Sequence, residues 1–360
     1  MAHPAGAALE PSEEDPVSRG ASGRRLLGLG TAACIAMASL AGMPALAAKS
    51  TGTPAQKTSR RSLDLTVIEH ERWLDTLKGT VKNFGPGSAR DVTVLALGKL
   101  GGRELNYSSD VDLLFVARDD SVDYVPLAQK LIQTLSASTS QGFLYRVDMR
   151  LRPWGKDGPL VPTLAGYLKY LEKHARPWEK QALLKLRPIA GDLSLGETLR
   201  EAIQPHIFGL PPEQVRAEVH AMKQRTEDFL RQKGRTWGEV KLGAGSIRDV
   251  EFVVQYLQLA YVSQFPQIRT RATLKALPRL RAAGLLSSTE ARILTDGYVF
   301  LRTIEHYLQM MDYRQTYTLP SEPRAITLLA RRLGFPDGET FLARYQEHCR
   351  AIRAVYLRII

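Results

Sequence analysis

The sequence predicts an α+β protein in which a small sheet-bearing domain is followed by an all-helical one. Short apolar runs at Val92–Leu97 and Val111–Val116, and the alternating stretch Leu144–Leu151, have the length and period of strands. A glycine-rich turn follows the first run and a helical stretch, Val125–Ala137, follows the second, which gives the order of one compact sheet unit. Beyond Pro188 the strand signals stop, and Arg248–Tyr261, Glu290–Met311 and Glu339–Ile360 carry apolar residues at helical spacing.

With 360 residues, 44% of them hydrophobic and 24% charged, the chain has room for two domains and a substantial core. Residues 1–20 are rich in Ala, Pro, Ser and Glu and read as disordered. Arg24 and Arg25 then precede an uncharged stretch, Leu26–Ala48, that ends in the small-residue pattern Ala45-Leu46-Ala47. That pattern reads as an export signal, with a membrane anchor or a foreign, fused segment as the alternatives. Residues 49–62 are a polar basic linker, and Leu63–Lys82 has helical periodicity. The predicted division is therefore 1–62 as leader and linker, 63–189 as the sheet domain and 190–360 as the helical domain. The two cysteines, Cys34 and Cys349, match no metal spacing or disulfide framework. A net charge of +12 calls for an anionic partner without choosing between nucleic acid, a membrane surface and a phosphate-bearing substrate.

The chemistry is concentrated around the second strand. Residues i and i+2 of a strand share a face, so Asp110 and Asp112 project side by side while Val111 and Leu113 point the other way. Two adjacent carboxylates are costly without a cation, and a hard divalent ion such as Mg²⁺ would compensate them; a solvated strand end is the alternative. Just upstream, Gly98, Gly101 and Gly102, followed by Ser108 and Ser109, form a turn able to bring backbone N–H groups close to phosphate oxygens. In "YRVDMRLRP", Arg146, Asp148, Arg150 and Arg152 alternate with an apolar face. Asp148 offers a third metal ligand and Arg150 and Arg152 offer planar forks to phosphate; a salt-bridged edge strand is the competing explanation.

Glycine turn, D-x-D strand and later Asp strand together resemble the nucleotidyltransferase superfamily of the DNA polymerase beta type. The blocks "LGKLGGRELNYSSDVDLLF", "YRVDMRLRPWGKDGPLV", "WEKQALLKLRPIAGD" and "KLGAGSIRDVEFVVQYLQL" resemble, in order, the glutamine synthetase adenylyltransferase/adenylyl-removing enzyme family over residues 63–360. Arg248 within "GSIRDVEF", with "QTYTLP" at Gln315–Pro320, resembles the N-terminal, adenylyl-removing half of that family. The resemblance implies catalytic metal ligands at Asp110, Asp112 and Asp148. It implies phosphate or nucleotide contacts at Gly101, Gly102, Ser109, Arg150, Arg152, Lys185, Arg187 and Arg248, with Asp249 and Glu251 beside the last on a helix start. It further implies Mg²⁺ as cofactor, glutamine synthetase as protein substrate, phosphate and ADP or ATP as small substrates and products, and a PII-type regulator for the full-length family. Nucleic acid is not an expected partner.

The expected reaction is phosphorolysis of adenylylated tyrosine, releasing ADP. Addition of AMP from ATP and a non-catalytic remnant are the alternatives. Such a reaction belongs in the cytoplasm, in conflict with the signal-like segment. Two departures stand out: Ser246 replaces a glycine usual in the family, and no second D-x-D half follows.

Overall fold

Four strands build the sheet. β1 (Val92–Ala96) is β-branched and apolar and buried along its whole length, as a central strand covered on both faces must be. It pairs antiparallel with β2 (Val111–Ala117) on one side and with β6 (Arg187–Gly191) on the other. β2 in turn pairs parallel with the short β5 (Val147–Asp148), giving the order β5-β2-β1-β6. A separate hairpin joins β3 (Ser138–Thr139) to β4 (Gly142–Phe143). The computed structural model describes residues 90–360 apart from 107, 140, 141, 144 and 313–315, and these fall within one compact unit. The signal-like stretch, the basic linker and the helix expected at 63–82 lie outside the described residues.

The period of two decides what each sheet face covers. Val94, Ala96, Leu113 and Phe115 pack with Ala128, Leu131 and Leu135 of α2 (Val125–Ser136), α1 being Gly98–Gly102. Leu95, Leu97, Leu114 and Val116 face the other way, into the large helical core. That core collects α3 (Leu164–Lys173), α4 (Pro177–Ala182), α5 (Leu193–Ala202), α6 (Gln204–Ile207), α7 (Pro212–Gln232), α8 (Ile247–Tyr261), α9 (Thr273–Ala282), α10 (Ser288–Asp312), α11 (Pro323–Arg332) and α12 (Gly338–Ile359). α8 is buried almost all round, and α7, α9, α10 and α12 pack against it, as expected of a central helix. No described helix is long and apolar enough to cross a membrane.

Three sequence expectations need correcting. The glycine turn Gly98–Gly102 is a one-turn helix, closed by Arg103 at φ 59°. The third strand, expected over Leu144–Leu151, shrinks to Val147–Asp148, because Asp148 Oδ1 accepts the Arg150 amide at 2.8 Å and diverts it from the ladder. Strand β6 runs past Pro188, where the strand signals stop; the proline is tolerated because β6 is an edge strand with a register shift opposite Val94 and Leu95.

Candidate active site

Asp110 and Asp112 stand on the face of β2 that Leu114 and Val116 share, toward the helical core, and parallel pairing sets Asp112 directly opposite Asp148. Three carboxylates thus converge on one edge of the sheet. Two are held by arginines: Arg146 Nε donates to Asp110 Oδ1 at 2.6 Å, and Arg150 Nη2 donates to Asp148 Oδ2 at 2.6 Å. Burial acts to raise the Asp148 pKa, but the hydrogen bonds and charge of Arg150 outweigh it and hold the carboxyl below its usual value. Asp112 has no salt bridge among the described residues, and burial, then the charges of Asp148 and Asp110, push it up to about 6. The N-terminus of α1 comes close for a reason visible at Gly98. Its φ is 51°, and a Cβ there would collide with the Asp112 carboxylate.

A cleft of about 400 Å³ is lined by these three carboxylates together with four cations, Lys99, Lys185, Lys241 and Arg248. Lys99 Nζ, in α1, donates to Glu305 Oε1 at 3.1 Å and to Ser109 Oγ at 3.4 Å, yet burial pushes its pKa down to about 7 despite Glu305. Lys185 Nζ donates to Glu104 Oε2 at 2.6 Å. Lys241 sits 3.9 Å from the centroid of the Tyr317 ring and is lowered chiefly by burial. Arg248 stands in the first turn of α8 with its guanidinium 5.5 Å from the Phe252 ring. Glu251 also lines the cleft; burial works against its charge, but Lys185, Arg248 and Lys99 keep its pKa low. Carboxylates and cations in one cleft suit a substrate whose phosphate oxygens are split between a metal and basic side chains.

Of the residues singled out in the sequence, Ser109, Asp110, Asp112, Asp148, Arg150, Lys185 and Arg248 line this cleft. Gly101, Gly102, Arg152 and Arg187 do not. A Cβ at Gly101 would collide with the Lys185 carbonyl oxygen, so its role is a close backbone approach, and Gly102 packs against Glu104 and the Arg271 carbonyl. Arg187 donates to the carbonyls of Leu100 at 2.6 Å and Gly101 at 3.1 Å, closing the end of α1. Arg152 donates to the carbonyls of Met149, Lys156 and Gly158, where it ties the loop after β5. Asp249 turns into the core, where Lys223 Nζ lies 2.5 Å from Oδ1 and the Gly245 amide donates to Oδ2 at 2.8 Å. Ser246 fits its position without a glycine's freedom: φ is −91° and its hydroxyl donates to the Lys241 carbonyl at 2.8 Å. Sequence reasoning missed Lys99 and Lys241 as cleft residues, although both sit inside blocks already quoted, "GKLGG" and "KLGAG".

Mg²⁺ suits this donor set by its chemistry, three hard carboxylates with one left uncompensated. No three acidic, His or Cys side chains among the described residues form a ready-made cage. Arg146 and Arg150 occupy two of the three carboxylates, and a metal would compete with them.

Comparison with known proteins agrees. Residues 65–202 match the family model for glutamate-ammonia ligase adenylyltransferase, and residues 213–360 match that for GlnD PII-uridylyltransferase. A bifunctional glutamine synthetase adenylyltransferase/adenylyl-removing enzyme of Methylococcus capsulatus is 37% identical over 286 residues, 76% of this chain and 30% of the relative. The proteins of the same description from Hahella chejuensis and Cutibacterium acnes are 36% and 41% identical, over 69% and 68% of this chain and 27% and 26% of their own lengths. Carboxylates and basic side chains lining one cleft, together with these matches, are those of a nucleotidyltransferase-like domain. Within that class the chain belongs to the glutamine synthetase adenylyltransferase/adenylyl-removing enzyme family. It spans less than a third of the length of these curated relatives.

Proposed function

We propose that this chain carries the adenylyl-removing activity: an oxygen of inorganic phosphate attacks the AMP phosphorus on an adenylylated tyrosine of glutamine synthetase, the bond to the tyrosyl oxygen breaks, and ADP leaves. The observation that carries the reading is the cleft itself, which brings Asp110, Asp112 and Asp148 together with Lys99, Lys185, Lys241 and Arg248. In this reading the cleft lies where a polymerase-beta-type domain, residues 63–189, meets a helical domain, residues 190–360.

Asp110, Asp112 and Asp148 would hold Mg²⁺, which when bound would supply Lewis-acid polarisation of the phosphoryl oxygens. The chain's own groups do the rest. Arg248 and Lys241 bind the attacking phosphate, with the positive end of α8 adding to the potential at Arg248. Lys99, lowered to about 7 by burial, is restored to full charge by an anion beside it, so phosphate binding and Lys99 protonation reinforce each other. Arg150, aligned by Asp148, offers its planar fork to the adenylyl phosphate. Support for a PII-type regulator is the match of residues 213–360 to the PII-uridylyltransferase model.

The test is incubation of the protein with adenylylated glutamine synthetase, Mg²⁺ and phosphate. The expected result is phosphate-dependent release of ADP, and Arg248→Ala should raise the phosphate requirement more than that for protein substrate. Consumption of ATP with release of pyrophosphate and labelling of unmodified glutamine synthetase would instead establish the adding reaction.

A further inference from the structure

A second cavity, of about 360 Å³, is separate from the cleft in its lining. Neighbouring positions of the same segments line the two: Lys185 and Gln255 line the cleft, whereas Leu184, Leu186 and Gln258 line the cavity. Its lining is apolar at Leu184, Ile203 and Phe208 and carries four guanidinium groups, from Arg200, Arg269, Arg271 and Arg279. The facing carboxylates are Glu197, which pairs with Arg200, and Glu201. Positive groups therefore outnumber negative ones. Burial, then the charge of Arg200, lowers the pKa of both Arg269 and Arg271. Like charges collected in a partly buried pocket repel one another, and an anion that joins them relieves the repulsion.

The arginines are also held in place. Buried Gln258 donates through Nε2 to the carbonyls of Ile268 at 2.9 Å and Thr270 at 2.8 Å, fixing the segment on either side of Arg269. Arg279 Nη1 donates to the carbonyls of Gln267 at 3.2 Å and Arg269 at 3.1 Å, and Arg271 Nε donates to the Leu186 carbonyl at 2.8 Å. Among the described residues the Arg269 guanidinium has no hydrogen bond or ion pair; it lies 5.7 Å from the Phe208 ring. A clamped backbone that presents an unpaired guanidinium over an apolar floor is preorganised for a ligand.

We infer that this cavity is a binding site for a small organic anion, its carboxylate or phosphate head on Arg269 and Arg271 and its carbon body on Leu184, Ile203 and Phe208. The planar fork of arginine matches either head group, and the apolar floor selects against a bare inorganic ion.

The test is calorimetric titration of the protein in metal-free buffer with glutarate and, separately, with phenyl phosphate. Saturable binding of at least one is expected, glutarate alone marking a carboxylate site and phenyl phosphate alone a phosphate-ester site. Arg269→Gln should weaken it about tenfold or more, because a charged hydrogen-bonding partner is lost. Arg150→Gln, which alters the catalytic cleft, should leave it unchanged. If Arg269→Gln fails to fold, Arg269→Lys keeps the charge and removes the fork, and should still weaken binding. No binding of either probe, binding indifferent to the Arg269 variants, or binding abolished by Arg150→Gln would overturn the inference.

Discussion

Glu305 is the anion on which the contact between α1 and α10 depends, and replacing it with Gln tests that dependence directly. Its side chain is fully buried and takes Lys99 Nζ at 3.1 Å and Arg302 Nη1 at 2.8 Å, while Arg302 Nη2 reaches the Glu104 carbonyl at 2.6 Å. Burial alone would raise the Glu305 pKa, but Arg302 and Lys99 bring it down from 4.5 to about 2, which corresponds to about 3 kcal/mol in favour of the charged form. The opposing cost falls on Lys99, whose desolvation exceeds the help it receives from Glu305. The intact pair is thus worth less than the glutamate side suggests, and the larger penalty appears when the anion is removed and two buried cations remain. Glu305→Gln should therefore destabilise the protein by about 3 kcal/mol at pH 6, read as a lower urea midpoint at unchanged slope. The loss should shrink by pH 9, because Lys99 without its partner sheds its proton more easily. A loss below about 1 kcal/mol, or one that does not change between the two pH values, would refute the argument, since that range is typical of a solvent-exposed pair.

Asp112→Asn should abolish turnover while leaving the metal-free protein at least as stable at pH 7–8, because the amide removes a carboxylate that burial and its neighbours already disfavour; a full-rate variant in the glutamine synthetase assay would remove Asp112 from the mechanism. Acid should unfold the protein in two stages. His306, lowered by burial to about 4, and Glu305, at about 2, both have folded pKa values below their unfolded ones, so their contributions are complete above pH 6.5 and 4.5 and disappear as pH falls through about 4 and then about 2. Urea midpoints measured from pH 8 to 3 should decline from about 6.5 downward, and a flat profile would contradict these assignments. Gly101→Ala should cost more than about 2 kcal/mol and lower activity with it, since the new Cβ meets the Lys185 and Ala96 carbonyls rather than a movable side chain; circular dichroism melting reads the first effect and the ADP assay the second.

The sequence by itself determined the local and periodic features. The apolar runs at 92–97 and 111–116 had to be strands, and the shared face of Asp110 and Asp112 follows from the two-residue period alone. The long helices near 248–261, 290–311 and 339–360 were equally legible, since their apolar residues recur at helical spacing. Tertiary structure decided whatever depends on pairing between distant segments. Asp148 belongs with Asp112 because β5 runs parallel to β2, a register that no spacing in the sequence encodes. Arg152 and Arg187 look the same as Arg150 and Lys185 in sequence, yet backbone carbonyls claim them, of the loop after β5 and of α1 respectively, so only the latter two face the cleft. Lys99 and Lys241 became site residues for the converse reason. Their charge is directed by burial against α10 and the Tyr317 ring, contacts made across about 206 and 76 positions of chain, and electrostatics of that range exist only once the chain has folded.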